Sequence, residues 1–128
     1  MRKPTILVAD DDRHVRAAIR RRLVAMGYGV MECGDGLGVL RSCADGQVDA
    51  VILDHGMPNG DGRSVARIIR NESDVPIIFV SGFGRSEFRA IVHELPDVYY
   101  LGKPFDECRL ASLLDSVLGG ARGVSAAS

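Results

Sequence analysis

Five polar residues follow or end four of the short apolar runs in this 128-residue chain. They are Asp10, Asp11, Asp54, Ser81 and Lys103. Three carboxylates, a hydroxyl and an ammonium group are the side chains that could bind a divalent cation and accept a phosphoryl group. They can do so only if the fold brings these positions to one place.

Three carboxylates in one cleft repel each other and need a cation, because each pair costs about 4 kcal/mol at ~4 Å and an effective dielectric constant near ~20. Oxygen ligands that leave room for water suit Mg²⁺, which typically takes one or two protein carboxylates and completes its octahedron with water and phosphate oxygens. Lys103 supplies a second positive charge. Asp54 could then attack phosphorus while Ser81 donates a hydrogen bond to a phosphoryl oxygen.

The hydrophobic pattern predicts strands and helices in alternation. Short apolar runs predict five strands, at 5–9, 28–33, 50–54, 75–80 and 98–101. Apolar residues at helical spacing predict five helices, from about 13 to 26, 36 to 44, 63 to 70, 88 to 95 and 110 to 118. Asp12 stands at the N-cap position of the first helix, and Gly27 ends it.

This order predicts an α/β fold, a doubly wound five-stranded parallel sheet of order 2-1-3-4-5 flanked by five helices, which is the flavodoxin-like arrangement. Strands 1, 3, 4 and 5 are consecutive neighbours in that order, and they are the strands that end in the polar residues. Strand 2 ends in Cys33. Because ligands bind outside the carboxyl ends of parallel strands, the sequence predicts one site built from all five polar residues.

Several of these residues also have a purely structural interpretation. Asp54 could cap the Gly- and Pro-rich turn that follows at 57–62, and Ser81 could be an ordinary strand-end residue. His55 and His93 have no matching ligand set and are interpreted as structural or exposed. The arginines of the first helix are interpreted as a solvated face, namely Arg13, Arg16, Arg20 and Arg21.

Four segments closely resemble the receiver domain of two-component response regulators, and the resemblance covers residues 5 to about 118. The segments are ILVADDD at 6–12, LD at 53–54 continued by MPNGDG at 57–62, VSG at 80–82, and YLGKPF at 100–105. Spacing, strand-end placement and residue type agree in all of them. The resemblance implies a signalling switch that catalyses only its own phosphorylation and dephosphorylation.

The resemblance also implies a role for each site residue. Asp54 would be the phosphoacceptor, and Asp54 and the backbone carbonyl of Gly56 would bind Mg²⁺ beside an acidic pair. That pair would be Asp10 and Asp11, although three consecutive aspartates leave a register shifted to Asp12 open.

Two further residues would contact the phosphoryl group, namely Ser81 and Lys103. Ser81 would also act in a conformational switch with Tyr100, three residues before Lys103. Tyr99 competes with Tyr100 for that role.

The implied partners are a histidine kinase or phosphotransfer protein as donor, and a downstream protein that binds the surface of the fourth helix, fifth strand and fifth helix. Two alternatives belong to other classes. A haloacid-dehalogenase-like phosphatase has its nucleophile in a DxD motif after the first strand, which Asp10 to Asp12 formally contains. A flavin or nucleotide binder is allowed by the fold, but no GxxxxGK[ST] or GxGxxG follows a strand.

Composition indicates an ordinary globular domain, with 46% hydrophobic and 26% charged residues and a net charge of −1. This balance predicts no direct nucleic-acid or membrane binding. Three widely spaced cysteines and no signal-like segment predict a cytoplasmic protein. We expect a receiver domain at 1–118, a flexible tail at 119–128 and a stand-alone receiver without an output domain.

Overall fold

The computed structural model describes residues 3–54, 62–82 and 93–127, with side chains through Leu118. It contains five strands and four helices in these residues. The strands are β1 (Thr5–Ala9), β2 (Gly29–Cys33), β3 (Ala50–Asp54), β4 (Ile77–Ser81) and β5 (Val98–Gly102). The helices are α1 (Arg13–Ala25), α2 (Gly36–Ala44), α3 (Gly62–Glu72) and α4 (Glu107–Ala127).

The five strands form one parallel sheet of order β2-β1-β3-β4-β5, which confirms the predicted topology. The register pairs Ala9 with Leu53, and Ser81 with Gly102. Because the strands run in the same direction and end at similar heights, the residues at their carboxyl ends meet along one edge of the sheet.

The core lies in two layers, one on each face of the sheet. Successive strand residues point to opposite faces, so the continuous apolar runs supply both layers. Leu7, Leu53 and Phe79 belong to the layer covered by α2 and α3. Ile6 and Ile52 belong to the layer covered by α1 and α4. All five are almost completely buried, which fixes the sheet that positions the site.

The ends of α1 follow the predicted capping chemistry. The Asp12 side chain accepts hydrogen bonds from the backbone N–H groups of His14 and Val15 at the N-terminus. Beyond the C-terminus, Gly27 has φ of 98°, a left-handed conformation that favours glycine. The sequence therefore sets both limits of this helix.

The described residues contain four of the five predicted helices, and the C-terminal one is longer than predicted. Most of the predicted helix around 88–95, namely 88–92, lies outside the described residues. The helix that is fifth in the prediction is α4 here, and it continues through Ala127, beyond the predicted limit at Leu118. Helical hydrogen bonds form within a segment, so a helix can extend past the last apolar residue that contacts the core. The domain limit at Leu118 stays a prediction.

Candidate functional site

Asp10, Asp54 and Lys103 meet at the carboxyl edge of the sheet. Asp10 follows β1, Asp54 ends β3, and Lys103 follows β5. The Lys103 Nζ atom lies 3.3 Å from Asp54 Oδ1 and 3.4 Å from Asp10 Oδ2. Residues that are far apart in the sequence thus form one ion-paired cluster, as the predicted sheet order requires.

Asp11 completes a group of three carboxylates. One oxygen from each of Asp10, Asp11 and Asp54 lies within 4.8 Å of the others. Asp10 is buried, Asp54 is partly buried and Asp11 is exposed, so the group opens to solvent on one side. Hard oxygen donors with an open side are the donor set that Mg²⁺ takes, since this ion keeps several waters. The residues present therefore fit the metal that the sequence predicts.

The backbone of the acidic loop is held by several hydrogen bonds. The Asp10 N–H donates to the Cys33 carbonyl at 3.2 Å, and the Asp12 N–H donates to Asp10 Oδ1 at 2.9 Å. Asp12 Oδ1 accepts from the N–H groups of His14 and Val15 at 2.8 and 3.3 Å. These bonds lower the pKa of Asp12, and the bond from the His14 N–H has the largest effect. Asp12 is thus a helix cap and does not belong to the carboxylate group.

The electrostatics of the site oppose the charge of Asp10. Burial raises the pKa of Asp10 above its ordinary value of 3.8; the Asp12 N–H and Lys103 oppose this rise, and the Asp54 carboxylate adds to it. For Lys103, burial lowers the pKa, but Asp54 and Asp10 raise it by more, so the net shift is upward. Lys103 therefore stays charged at neutral pH, and its stabilising contribution is lost only as the pH rises through its elevated folded-state pKa.

Asp10→Asn is expected to stabilise the metal-free domain at neutral pH, raising its free energy of unfolding by roughly 1 kcal/mol. A folded-state pKa above the unfolded value means that ionised Asp10 opposes folding, whereas Asn keeps the acceptor for Asp12 without the charge. Urea unfolding in a chelator measures the difference. It should decrease as the pH falls through the folded-state pKa of Asp10 and vanish below the lower, unfolded-state pKa. An equally or less stable variant at neutral pH would contradict the interpretation.

Ser81 and Tyr100 lie next to each other at the ends of β4 and β5. Ser81 is only 3% exposed, and its carbonyl accepts the Lys103 N–H at 2.8 Å. The Tyr100 hydroxyl donates to the same carbonyl at 3.4 Å, and a Cβ atom on Gly102 would stand 3.0 Å from that hydroxyl. Tyr99 points to the opposite face, where its hydroxyl donates to Asp97 Oδ1 at 3.2 Å. Of the two tyrosines, Tyr100 is the one that contacts the site.

Four other predicted features remain, and one of them lies within the described residues. Gly56, the predicted carbonyl ligand, lies outside the described residues, as do His55 and most of the 57–62 turn. His93 is exposed, as predicted.

The environment of Arg16 differs from the prediction. We assigned this residue to a solvated face, but its side chain is only 18% exposed and donates to the Asp10 carbonyl at 2.6 Å. Its position four residues after the cap Asp12 was the available signal, because it places Arg16 on the first turn of α1 near the loop.

Comparison with known proteins identifies the family. Residues 6–115 match the family model described as "Response regulator receiver domain". The chain belongs to this family. The receiver assignment made from the sequence motifs is thus confirmed, and so is the fold.

Two curated relatives are transcriptional regulators. One is the probable transcriptional regulator ycf27 of Galdieria sulphuraria, 37% identical over 91% of this chain and 46% of its own length. The other is the transcriptional regulatory protein PrrA of Mycobacterium tuberculosis, 36% identical over 90% of this chain and 50% of its own length. The receiver chain thus spans about half the length of these relatives.

A solved structure with the same fold holds a metal. It is the receiver domain of the sensor histidine kinase PA1611 from Pseudomonas aeruginosa, with magnesium coordinated in its active-site cleft. It is 29% identical, has a TM-score of 0.82, and the match covers 91% of this chain and 98% of that one.

Within the part of our receiver that the structure describes, no helix is both long and apolar enough to cross a membrane.

Proposed function

We propose that this receiver is a phosphorylation switch in which Asp54 accepts a phosphoryl group from the phosphohistidine of a histidine kinase or a phosphotransfer protein. The observation that carries the proposal is the position of the Asp54 carboxylate. It lies 3.3 Å from the Lys103 ammonium group and belongs to the same group of oxygens as Asp10 and Asp11. The proposed nucleophile thus lies beside two carboxylates that can bind a metal ion and beside the positive charge of Lys103.

The chemistry follows from this arrangement. An Asp54 oxygen forms a bond to phosphorus as the bond from phosphorus to the donor imidazole nitrogen breaks, and the electron pair leaves with the imidazole. Lys103 and the Ser81 hydroxyl would bind oxygens of the transferred group. Asp10, Asp11, Asp54 and the Gly56 carbonyl would hold Mg²⁺, which when bound neutralises charge on the phosphoryl oxygens. Beyond its own phosphorylation and dephosphorylation, the domain needs no catalytic activity.

Incubation with acetyl phosphate or phosphoramidate and Mg²⁺ tests the proposal. Intact-mass measurement should show one added phosphoryl group that hydroxylamine removes, as an acyl phosphate requires. The reaction should stop when a chelator removes the metal. Absence of any adduct from both donors, with the protein folded, would reject the proposed function.

The phosphatase alternative uses a different aspartate. Its nucleophile would lie in the motif from Asp10 to Asp12, but Asp12 caps α1, and the two carboxylate oxygens of Asp10 accept hydrogen bonds from the Asp12 N–H and from Lys103. This geometry supports Asp54 as the nucleophile. Repeated turnover of a small phosphate monoester would support the phosphatase instead.

We propose that output passes through the surface of β5, α4 and the segment predicted as a helix around 88–95. A groove along β5 and α4 is lined by Tyr100, Leu101, Arg109 and Leu113. A downstream protein or domain that binds there would contact Tyr100. Pull-down with the phosphorylated receiver and with Asp54→Asn tests this proposal, since only the phosphorylated form should change its set of bound proteins.

The net charge and the cysteines bear on nucleic-acid binding and on the cellular location of the domain. A net charge of −1 supports the proposal that the receiver itself makes no direct contact with nucleic acid. Burial raises the pKa of Cys33 and of Cys43 to about 11, so both thiols are protonated at neutral pH. We propose a cytoplasmic location, because unreactive free thiols suit that reducing compartment.

We propose that Ser81 and Tyr100 couple the phosphorylation site to this surface. Phosphorylated Asp54 would draw the Ser81 hydroxyl toward a phosphoryl oxygen. The Tyr100 hydroxyl bonds to the Ser81 carbonyl, so a shift of Ser81 changes the surroundings of the tyrosine ring. A gap of a few kcal/mol between two arrangements is enough for such a switch.

Ser81→Ala is expected to accept phosphate more slowly and to leave the NMR signals of the Tyr100 ring unchanged on phosphorylation. The methyl group cannot donate to the phosphoryl oxygen, so the pull on the end of β4 is lost. Ser112→Ala, in the groove beside Tyr100, is the matched control and should respond like the wild type. Equal shifts of Tyr100 in wild type and Ser81→Ala would show that the coupling does not pass through Ser81.

A further inference from the structure

The side chain of Arg16 joins the acidic loop to strand β2. Its Nη1 atom donates to the Asp10 carbonyl at 2.6 Å, a short hydrogen bond from a charged donor. Its Nε atom donates to Glu32 Oε1 at 3.4 Å. Arg16 is mostly buried although it lies on the first turn of a helix rich in exposed arginines. Its guanidinium is therefore held between the loop and the sheet.

The contact of Arg16 acts on the peptide group between two of the three carboxylates. The Asp10 carbonyl belongs to the planar peptide that ends at the Asp11 Cα atom, so a bond that orients this carbonyl also orients Asp11. The side chain of Asp10 is already fixed by the Asp12 N–H and by Lys103. Asp11, which is exposed, depends on its backbone for its direction.

The surroundings of Arg16 are built to hold this position. Glu32 on β2 accepts from Arg16 and, through Oε2, from Arg20 at 3.0 Å. Gly34, just after β2, leaves the space that the guanidinium fills, because a Cβ atom there would stand 3.1 Å from Nη1. The ion pair and the small residue together limit the guanidinium to one place under the loop.

We propose that Arg16 is a positioning residue for the divalent cation, and that it acts by orienting the peptide between Asp10 and Asp11. This inference rests on the proposed function, which needs that cation. A residue behind the ligands that fixes their direction typically changes metal affinity by about 10–100-fold. Glu32 acts on the same peptide group by holding Arg16, and Gly34 leaves room for the Arg16 guanidinium.

The sign of the effect separates positioning from simple charge. Arg16 is a cation near a cation site, so a purely electrostatic role predicts that its removal tightens Mg²⁺ binding. Positioning predicts the opposite, because Asp11 loses its orientation and must be ordered when the metal binds. A surface ion pair with no role at the site predicts no change.

The test is a Mg²⁺ titration of the metal-free full chain, followed by the backbone amide NMR signals of residues 10–12, with no phosphate donor present. Arg16→Met should weaken Mg²⁺ binding roughly tenfold. Arg20→Met is the matched control. Arg20 bonds the other oxygen of the Glu32 carboxylate, is 58% exposed and is not bonded to the Asp10 carbonyl. Its Mg²⁺ affinity should equal that of the wild type.

Other results would overturn the inference. Arg16→Met binding that is unchanged or tighter would reject positioning, and so would equal weakening in Arg16→Met and Arg20→Met. If Arg16→Met does not fold, Gly34→Ala takes its place, since its methyl group would push the guanidinium by a few tenths of an ångström without a change of charge. It should weaken binding in the same direction, and unchanged binding would reject the inference. A wild type that binds no Mg²⁺ would instead reject the metal of the proposed function, and with it the role of Arg16.

Discussion

Asp54→Asn is expected to abolish covalent phosphorylation of the receiver, a loss of roughly a thousandfold or more, as removal of a nucleophile usually causes. The amide oxygen carries no negative charge and cannot form a stable acyl phosphate. Lys103 keeps its contact with Asp10 in this variant, so its ammonium group still has a carboxylate partner. Intact-mass measurement after incubation with acetyl phosphate and Mg²⁺ gives the result directly.

Asp74→Asn is the control for this experiment, because Asp74 is exposed and lies in the connection before β4, away from the carboxyl edge of the sheet. It should be phosphorylated like the wild type. An adduct that persists in Asp54→Asn would place the nucleophile on another residue. Peptide mapping would then identify that residue, and the central assignment would be wrong.

Lys103→Met is expected to slow phosphorylation by about 10²–10³-fold, the range found when one fixed electrostatic donor is removed from a site. Two carboxylates, Asp10 and Asp54, lose the ammonium group that lies 3.4 and 3.3 Å from them. The transferred phosphoryl group would also lose its contact with the Lys103 ammonium group. The rate of appearance of the phosphorylated mass at saturating Mg²⁺ measures the effect.

The same variant should bind Mg²⁺ as tightly as the wild type or more tightly. Lys103 and the metal are both cations attracted to the same carboxylates, so removing one favours binding of the other. Lys103→Arg keeps the charge but has a longer, planar head group, and should lie between wild type and Met in rate. Slow phosphorylation explained entirely by lost Mg²⁺ affinity in Lys103→Met would contradict a direct role for Lys103.

The choice between neighbouring residues depended on the tertiary structure. Asp12 is predicted from the sequence as the helix cap, but three consecutive aspartates left the register of the metal-binding pair open. The structure groups Asp10 and Asp11, not Asp12, with Asp54. Tyr99 and Tyr100 are equally aromatic, but strand alternation sends them to opposite faces. The bond to the Ser81 carbonyl is made by Tyr100. In each case the decision rests on backbone direction, which residue type does not encode.

The residue pattern alone was enough to predict the five strands, their parallel order and the meeting of Asp10, Asp54, Ser81 and Lys103 at one edge. Continuous apolar runs demand burial on both faces, and a parallel sheet then puts every strand-end residue on the same side. Hydrophobic pattern and topology are enough for that result.

The inward direction of the Arg16 side chain could be seen only in the folded structure. Its helical position predicts solvent exposure, but the carbonyl of Asp10, the carboxylate of Glu32 and the space at Gly34 come together from two strand ends and offer the guanidinium a set of contacts. A charged side chain is buried when such partners compensate its lost hydration. Those partners are 6, 16 and 18 residues away in the chain, and their meeting depends on how β1, β2 and α1 end beside one another.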